Sequence, residues 1–423
     1  KNITPEIFNF RGVKLGVPIC EDIWMDNVCM ELKDQGCELI ISPNGSPFDK
    51  YKINQRKTII EDRVTEVKIP FVYVNQFGGQ DELVFDGSSL VMNGSKEVVF
   101  EAPSWEENTS VIEFNVSEKK FNDLPFNKAK VSDLENIYMA TVIGLRDYVA
   151  KNNFPGVILG LSGGIDSAFC AAVAVDALGK DKVNVYMLPS VYTSKNSLDD
   201  AKDCAKRLEI HLDSIPISNT FLSLEDSLEE LFKGLPTDIT EENLQSRIRG
   251  TILMAISNKL GKMLITTGNK SEVSVGYSTL YGDMNGGFNP IKDIYKTELY
   301  ALANWRNLNV PKNVLLTKKN IIPETIISKE PTAELRDNQK DSDSLPSYDQ
   351  LDQILEGLVE YELSTNELEK KGFSRDEIKK VENLLYVSEY KRRQSAPGVK
   401  ISLRNFGRDR RYPITNKYRD KSE

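Results

Sequence analysis

The chain has 423 residues, 40% of them hydrophobic, and its 54 Lys and Arg against 63 Asp and Glu give a net charge of −9. At roughly 150 residues per domain this allows two to three domains with sizeable cores and excludes wholesale disorder. The acidic balance argues against a general nucleic-acid binder, no apolar run approaches the ~18–20 residues of a membrane span, and residues 1–25 lack the blocks of a signal peptide.

In chain order, residues 14–19 read as a short buried strand that ends at Cys20. A helix is expected over 26–35, a second buried strand over 37–42, then the turn-rich Pro43-Asn44-Gly45-Ser46-Pro47 and a charged amphipathic helix over 50–68. Strands are expected at 71–75, 89–92, 97–101 and 110–115. Residues 117–132 are polar and read as a linker. Beyond it the rhythm becomes β-α-β-α-β: a helix over 133–151 with Ser132 as its N-cap, a strand at 157–161, an apolar helix at 165–178, a strand at 183–188, a helix at 195–208 and a strand at 211–217. Helices over 221–233 and 241–260 and a strand at 263–267 complete it. That alternation predicts an α/β fold with a doubly wound parallel sheet. Residues 321–347 read as a surface loop or lid, and 348–390 as helical.

Five cysteines, at 20, 29, 37, 170 and 204, form no C-x-x-C pair, which fits a reducing cytoplasm. His211 is the single histidine and reads as structural. This argues against a His-based triad or a multi-His zinc site and leaves Glu, Asp, Lys or water as general base.

The most informative segment is VILGLSGGIDSA at 157–168. A buried strand runs into Ser162-Gly163-Gly164, and a helix begins near Asp166. Paired glycines let the backbone turn tightly and approach a ligand. The free N–H groups of the turn and the helix start then point at an anion, and Ser162 and Ser167 add hydroxyls. Asp166 suits such a cradle when Mg2+ lies between it and a phosphate. No Gly-Lys-Ser/Thr follows, so this is not a Walker loop. Taken alone, it could also be an ordinary glycine turn with an N-cap.

The segment resembles the SGGxDS pyrophosphate loop of the ATP pyrophosphatases, which adenylylate an oxygen of their substrate and let ammonia displace AMP. Further on stand ENLQSRIR at 242–249, TTGNKSE at 266–272, YGDMNGGFNP at 281–290, Lys296, KEPTAE at 329–334 and KRRQ at 391–394. In this order they are similar to the NAD+ synthetase family over residues 133–419. The resemblance implies that Gly160, Leu161, Ser162, Gly163, Gly164, Ile165, Asp166 and Ser167 hold the ATP phosphates, with Thr267, Lys296 and Thr332 also on ATP. It implies that Asn243, Arg247, Glu272, Asp283 and Lys391 meet deamido-NAD+, with the Gly286-Gly287 turn beside its nicotinate end. It places Mg2+ on Asp166 and Glu272. Where the smaller ammonia-using enzymes carry Lys before Tyr-Gly-Asp, this chain has Leu280, which suits the larger glutamine-dependent branch.

The implied reaction is ATP-dependent amidation of deamido-NAD+ to NAD+ with release of AMP and pyrophosphate, the ammonia coming from L-glutamine. Another loop-bearing ligase, like a GMP or asparagine synthetase, and a nucleotide-binding regulator are the alternatives. Asp166, Glu272 and Lys296 together argue against the regulator. The family further implies a homo-oligomer, with the apolar helix after the linker as an interface. The tail over 391–419, with ten Lys or Arg to one acid, is expected to close over phosphates.

Cys20 lies in GVPICEDIW at 16–24. On position alone it is a buried, inert thiol. The segment resembles the nucleophile elbow of nitrilase-like amidases, and PNGSPF at 43–48 matches the loop that follows. Residues 1–116 would then be the second half of an α-β-β-α sandwich, with residues 133–423 the synthetase domain. Cys20 would attack glutamine and form a thioester, and Ser46 and Lys52 would contact that glutamine. The family's partner Glu and Lys lie well upstream of the cysteine, and Glu6 and Lys14 are too near to be those residues. The expectation is a chain short of these partners, truncated at its start and without glutaminase activity by itself.

Overall fold

The structure, a computed structural model, describes residues 5–124, 131–337, 339–343 and 345–419. Two compact units divide the chain, Lys1–Ile143 and Gly144–Glu423. Among the described residues no helix is long and apolar enough to cross a membrane.

In the first unit the strands are β1 (Ile7–Phe10), β2 (Val13–Gly16), β3 (Leu39–Asn44), β4 (Phe71–Asn75), β5 (Phe77–Gln80), β6 (Leu83–Asp86), β7 (Leu90–Met92), β8 (Val98–Glu101), β9 (Phe114–Asn115) and β10 (Lys120–Phe121). Six form one sheet in the order β1-β2-β3-β4-β7-β8. Its centre, β2-β3-β4, is parallel, and both flanks are antiparallel. Strand side chains alternate between faces, and here both faces are apolar. Ile40, Phe71, Tyr73 and Met92 join Cys29 and Leu32 of helix Asp26–Asp34 and Ile60 and Val64 of helix Lys52–Val67. Their neighbours Leu39 and Val91 join Val13, Leu15, Val99 and Phe121 on the opposite face.

The strand expected over 110–115 contracts to β9, and the β5–β6 hairpin was not legible. β10 falls inside the stretch read as a linker. Phe121 is buried there, and the Asn93 side chain bonds both its backbone N–H (2.8 Å) and its carbonyl (3.1 Å). Residues 125–130 of that stretch lie outside the described residues.

The second unit holds β11 (Val157–Gly160), β12 (Val183–Met187), β13 (Leu212–Ser214) and β14 (Met263–Leu264), all parallel, in the order β13-β12-β11-β14. The chain winds outward from β11 through β12 to β13, then returns to the other side of β11 as β14. Such a reversal opens a crevice at the carboxyl ends of the two strands. Helix Ile165–Leu178 leaves β11 and has twelve buried residues, because its alanines allow close packing on every side. Residues 348–390 are helical as expected, in helices Tyr348–Val359, Thr365–Lys370, Arg375–Val387 and the start of Glu389–Arg392. The first three are capped by the side chains of Ser347, Ser364 and Ser374.

One charge is buried inside that apolar helix. Asp176 is met by Arg306 Nε at 2.7 Å and Nη2 at 3.0 Å, and the same guanidinium donates to the carbonyls of Asn309, Leu316 and Lys318. Removing one partner of such a pair leaves the other charge uncompensated. Arg306→Met is expected to lower unfolding free energy by about 3–5 kcal/mol, measured by urea denaturation; a loss under about 1 kcal/mol, the scale of an exposed pair, would show that the ion pair is not stabilising.

Candidate active site

The sequence places two glycines at the carboxyl end of β11, and the structure shows why they are needed. Gly163 adopts φ +84°, and a Cβ there would lie 2.4 Å from the carbonyl oxygen of Ser197. The loop therefore packs directly on the first turn of helix Lys195–Arg207. Ser167 fastens the loop from inside. Its Oγ accepts from Ser162 N–H at 3.2 Å and donates to the Gly164 carbonyl at 3.1 Å. Helix Ile165–Leu178 starts at Gly164 with no side-chain cap, so its first N–H groups remain available to an anion.

The loop opens on a cavity of about 350 Å³. Gly160, Leu161, Ser162, Gly164, Ile165, Asp166, Ser167, Thr267, Glu272, Asp283, Lys296 and Thr332 all line it. Gly163 does not, since it faces Ser197.

Charge in this cavity is concentrated at one point. Lys296, the first residue of helix Lys296–Leu308, reaches Asp166 Oδ2 at 2.5 Å and Glu272 Oε1 at 3.2 Å. Asn269 caps helix Lys270–Val275, which carries Glu272, and its Nδ2 donates to Asp166 Oδ1 at 2.7 Å. Burial pushes the Glu272 carboxyl up to about 8, with Lys296 opposing and Asp166 adding to the rise. Burial alone would push Lys296 down, yet the two carboxylates hold it well above the ordinary lysine value. A cation thus already stands between the carboxylates. Among the described residues no three His, Cys, Asp or Glu side chains are grouped to hold a metal. Mg2+, however, commonly takes one or two carboxylates plus substrate phosphates, and Asp166 with Glu272 beside the phosphate loop fits that donor set.

Asn243, Arg247 and Lys391 do not line the cavity. They gather around the 276–283 turn. Thr279 Oγ1 donates to Asn243 Oδ1 at 2.9 Å, Arg247 Nε to the Leu280 carbonyl at 3.2 Å, and Lys391 Nζ to the carbonyls of Gly276 and Ser278 at 2.7 and 2.6 Å. Asp283 joins them to the cavity. Its Oδ1 accepts from Thr279 N–H at 2.7 Å, and the enclosing walls push its carboxyl up to about 6.

The basic tail does not close over this cavity. From residues 391–419 only Ser395 and Ala396 line it. Its cations are spent within the fold: Arg392 on Glu389 and the Ser274 carbonyl, Lys400 on Asp409, Arg404 on Glu362. His211 is exposed beside Asp213 and is not a lining residue.

In the first unit, Cys20 is half-buried in a 3-10 turn after β2, at φ +51°. That left-handed backbone is costly for a residue with a side chain, and strain of this kind collects at functional sites. Lys52 Nζ lies 4.2 Å from the ring centre of Trp24, which closes the same turn. Ser46 is buried, with its N–H on Asn75 Oδ1 at 3.0 Å.

The NAD synthase family profile matches residues 137–395, and the carbon-nitrogen hydrolase profile matches residues 3–119. The glutamine-dependent NAD(+) synthetase of Rhodobacter capsulatus is 48% identical over 411 residues, covering 97% of this chain and 74% of that protein. The chain belongs to the glutamine-dependent NAD(+) synthetases. A relative of the same name from Acinetobacter baylyi is 45% identical over 98% of this chain and 75% of its own length. The solved synthetase from Acinetobacter baumannii, in complex with ADP, superposes with a TM-score of 0.74 at 42% identity, over 98% of this chain and 75% of that one. The synthetase structure from Cytophaga hutchinsonii shares the fold, at TM-score 0.78 and 21% identity over 98% of this chain and 73% of that one.

Several residues in or beside the cavity carried no role in the sequence reading. Asn269, which caps helix Lys270–Val275, is one, and it partners Asp166. Arg249 lines the cavity with Nε on the Leu188 carbonyl at 2.9 Å. Asp341 receives the hydroxyls of Tyr277 (3.2 Å) and Tyr348 (2.9 Å). Glu334 reaches back to Ser194 and Ser197. All four depend on contacts across distant segments.

Glu272 gives this site a pH signature. With its folded pKa raised from 4.5 to about 8, its stabilising contribution to the ligand-free fold is full below 4.5 and lost as pH rises through about 8. Urea denaturation across that window is expected to show wild-type stability falling with pH relative to Glu272→Gln. A difference that stays flat would contradict the assigned burial.

Proposed function

We propose that the second unit converts deamido-NAD+ to NAD+ by adenylylating the nicotinate carboxylate with ATP, and that Cys20 in the first unit takes part in releasing the ammonia from L-glutamine. The observation that carries this is the convergence of Asp166, Glu272 and Lys296 at the carboxyl ends of β11 and β14, beside a helix start with no side-chain cap.

The chemistry is governed by charge. A carboxylate must approach an α-phosphorus ringed by anionic oxygens. Asp166 and Glu272 would hold Mg2+, which when bound offsets phosphate charge as a Lewis acid. Lys296 would exchange its carboxylate partners for phosphate oxygens and keep its positive charge, as its raised pKa requires. The N–H groups at the uncapped start of helix Ile165–Leu178 would hold the departing pyrophosphate, so stabilisation is fixed in place before reaction. Thr267 and Thr332 line the same cavity as further ATP contacts. Asn243, Arg247, Asp283 and Lys391 would receive deamido-NAD+ around the 276–283 turn. Asp283 joins the two substrate regions, so that the reacting groups would be held close to one another. In the first unit, Cys20 would form the thioester with glutamine, and Ser46 and Lys52 would hold its polar ends.

We further read the protein as a cytoplasmic homo-oligomer. Its five cysteines are free. The helix after the linker does not supply an interface, because residues from Ile137 to Leu145 are mostly buried. Helix Ser218–Phe232 is the better candidate: none of its residues is buried, and Leu222 and Leu231 are 60% and 74% exposed.

Supplied with ATP, Mg2+, ammonia and deamido-NAD+, the protein is expected to yield AMP, pyrophosphate and NAD+; formation of ADP would overturn the adenylylation. Asp166→Ala should lower ammonia-supported synthesis at least about a hundredfold, whereas Cys20→Ala should leave it unchanged; equal loss in both would break the two-site assignment. Sedimentation velocity should give a dimer or larger species that Leu231→Glu dissociates, and a monomeric wild type would remove the oligomer reading.

A further inference from the structure

The segment from Lys329 to Leu335 lines the cavity that the phosphate loop opens on. It is tied at neighbouring residues of its carboxyl end. Gln245 Nε2 donates to the Leu335 carbonyl at 2.8 Å, and the Leu335 N–H donates to Gln339 Oε1 at 2.8 Å. The second tie is Glu334. Its Oε1 accepts from Ser194 Oγ at 2.8 Å, Ser197 Oγ at 2.7 Å and Lys329 Nζ at 3.3 Å, and its Oε2 accepts from Ser194 N–H at 3.3 Å. Lys329 Nζ also donates to Ser197 Oγ. The Glu334 N–H donates to Thr332 Oγ1 at 3.3 Å.

These contacts join two parts of the site. Ser197 is the residue whose carbonyl packs against Gly163 of the phosphate loop. Ser194 caps the helix that begins beside it. Lys329 and Thr332 are the cation and hydroxyl that this segment brings to the cavity. Glu334 itself sits at φ +48°, a backbone that an untethered loop would relax. Hydrogen bonds from two hydroxyls and an ammonium to one carboxylate are of the stronger, charge-assisted kind.

We propose that Glu334 is a positioning residue for ATP: it clamps the Lys329–Leu335 segment to the first turn of helix Lys195–Arg207, so that Lys329 and Thr332 stand at a fixed distance from the Ser162–Gly164 loop. This rests on the reading of the cavity as the ATP site. Glu334 acts through Lys329 and Thr332 and makes no contact with the reacting atoms. Its removal loosens the segment from helix Lys195–Arg207, with the Leu335 tie to Gln245 kept, and leaves Lys329 with the Ser197 hydroxyl as the remaining partner from this cluster.

The test uses ammonia-supported synthesis, which bypasses Cys20. Glu334→Ala is expected to raise KM for ATP at least about tenfold, the cost of losing charge-assisted bonds that fix a ligand contact, while KM for deamido-NAD+ is unchanged. Glu334→Asp and Glu334→Gln, which keep acceptors for the two serines, should recover part of it. Ser194→Ala, which keeps the carboxylate, should move KM for ATP in the same direction. Trypsin should cut after Lys329 faster in Glu334→Ala than in wild type, a readout that needs no turnover. An unchanged KM for ATP in Glu334→Ala, or a fall in kcat alone with trypsin cleavage unaltered, would overturn the proposal. Absence of NAD+ formation by the wild type would instead remove the underlying assignment of the cavity.

Discussion

One ammonium between two carboxylates organises the second unit. Lys296 bridges Asp166 and Glu272, and each of these residues comes from a different element. Asp166 opens the helix after β11, Glu272 sits on the short helix after β14, and Lys296 begins a third helix. Burying two negative charges near each other is unfavourable unless a cation answers them, so the three elements are fixed relative to one another by the same interaction that prepares the site.

The sheet order makes this convergence possible. With β14 returning beside β11, the carboxyl ends of both strands face one crevice. The glycines then set how closely the parts approach. Gly163 admits Ser197 behind the phosphate loop, and Gly250 admits the 281–285 turn onto helix Ile239–Leu260, where a Cβ would meet the Gly282 carbonyl at 2.8 Å. The polar turn that carries Asp283 is held in place by that second contact and by Ser246 Oγ, which accepts from the Asp283 N–H at 3.0 Å.

The parts of the fold most legible in the sequence were those with local signals. The β-α-β rhythm and the strand–Gly-Gly–helix transition placed β11, its loop and the apolar helix within a residue or two, because hydrophobic period and glycine spacing report on neighbours in sequence. The short strands were less legible. β14 has two residues, since its neighbour Ile265 pairs with Phe288 only as an isolated bridge. The linker reading failed at Phe121 because one aromatic among polar residues gives no period, yet it completes a core. At the site, residue identities were legible and their partnerships were not. Asn269 on Asp166, Glu334 on Ser197 and Tyr277 on Asp341 join segments tens of residues apart. The basic tail misled for a related reason: ten cations close together in sequence resemble a phosphate clamp, while the structure pairs Arg392, Lys400 and Arg404 with carboxylates and a carbonyl elsewhere in the same unit.

The account stands on where the triphosphate lies. Its most direct test is a crystal structure of the protein with Mg2+ and a non-hydrolysable ATP analogue. The prediction is that the phosphates rest on the N–H groups at the start of helix Ile165–Leu178, that Mg2+ joins them to Asp166 and Glu272, and that Lys296 Nζ has moved onto a phosphate oxygen. A nucleotide bound away from that helix start, with the Lys296 bridge to both carboxylates intact, would contradict it.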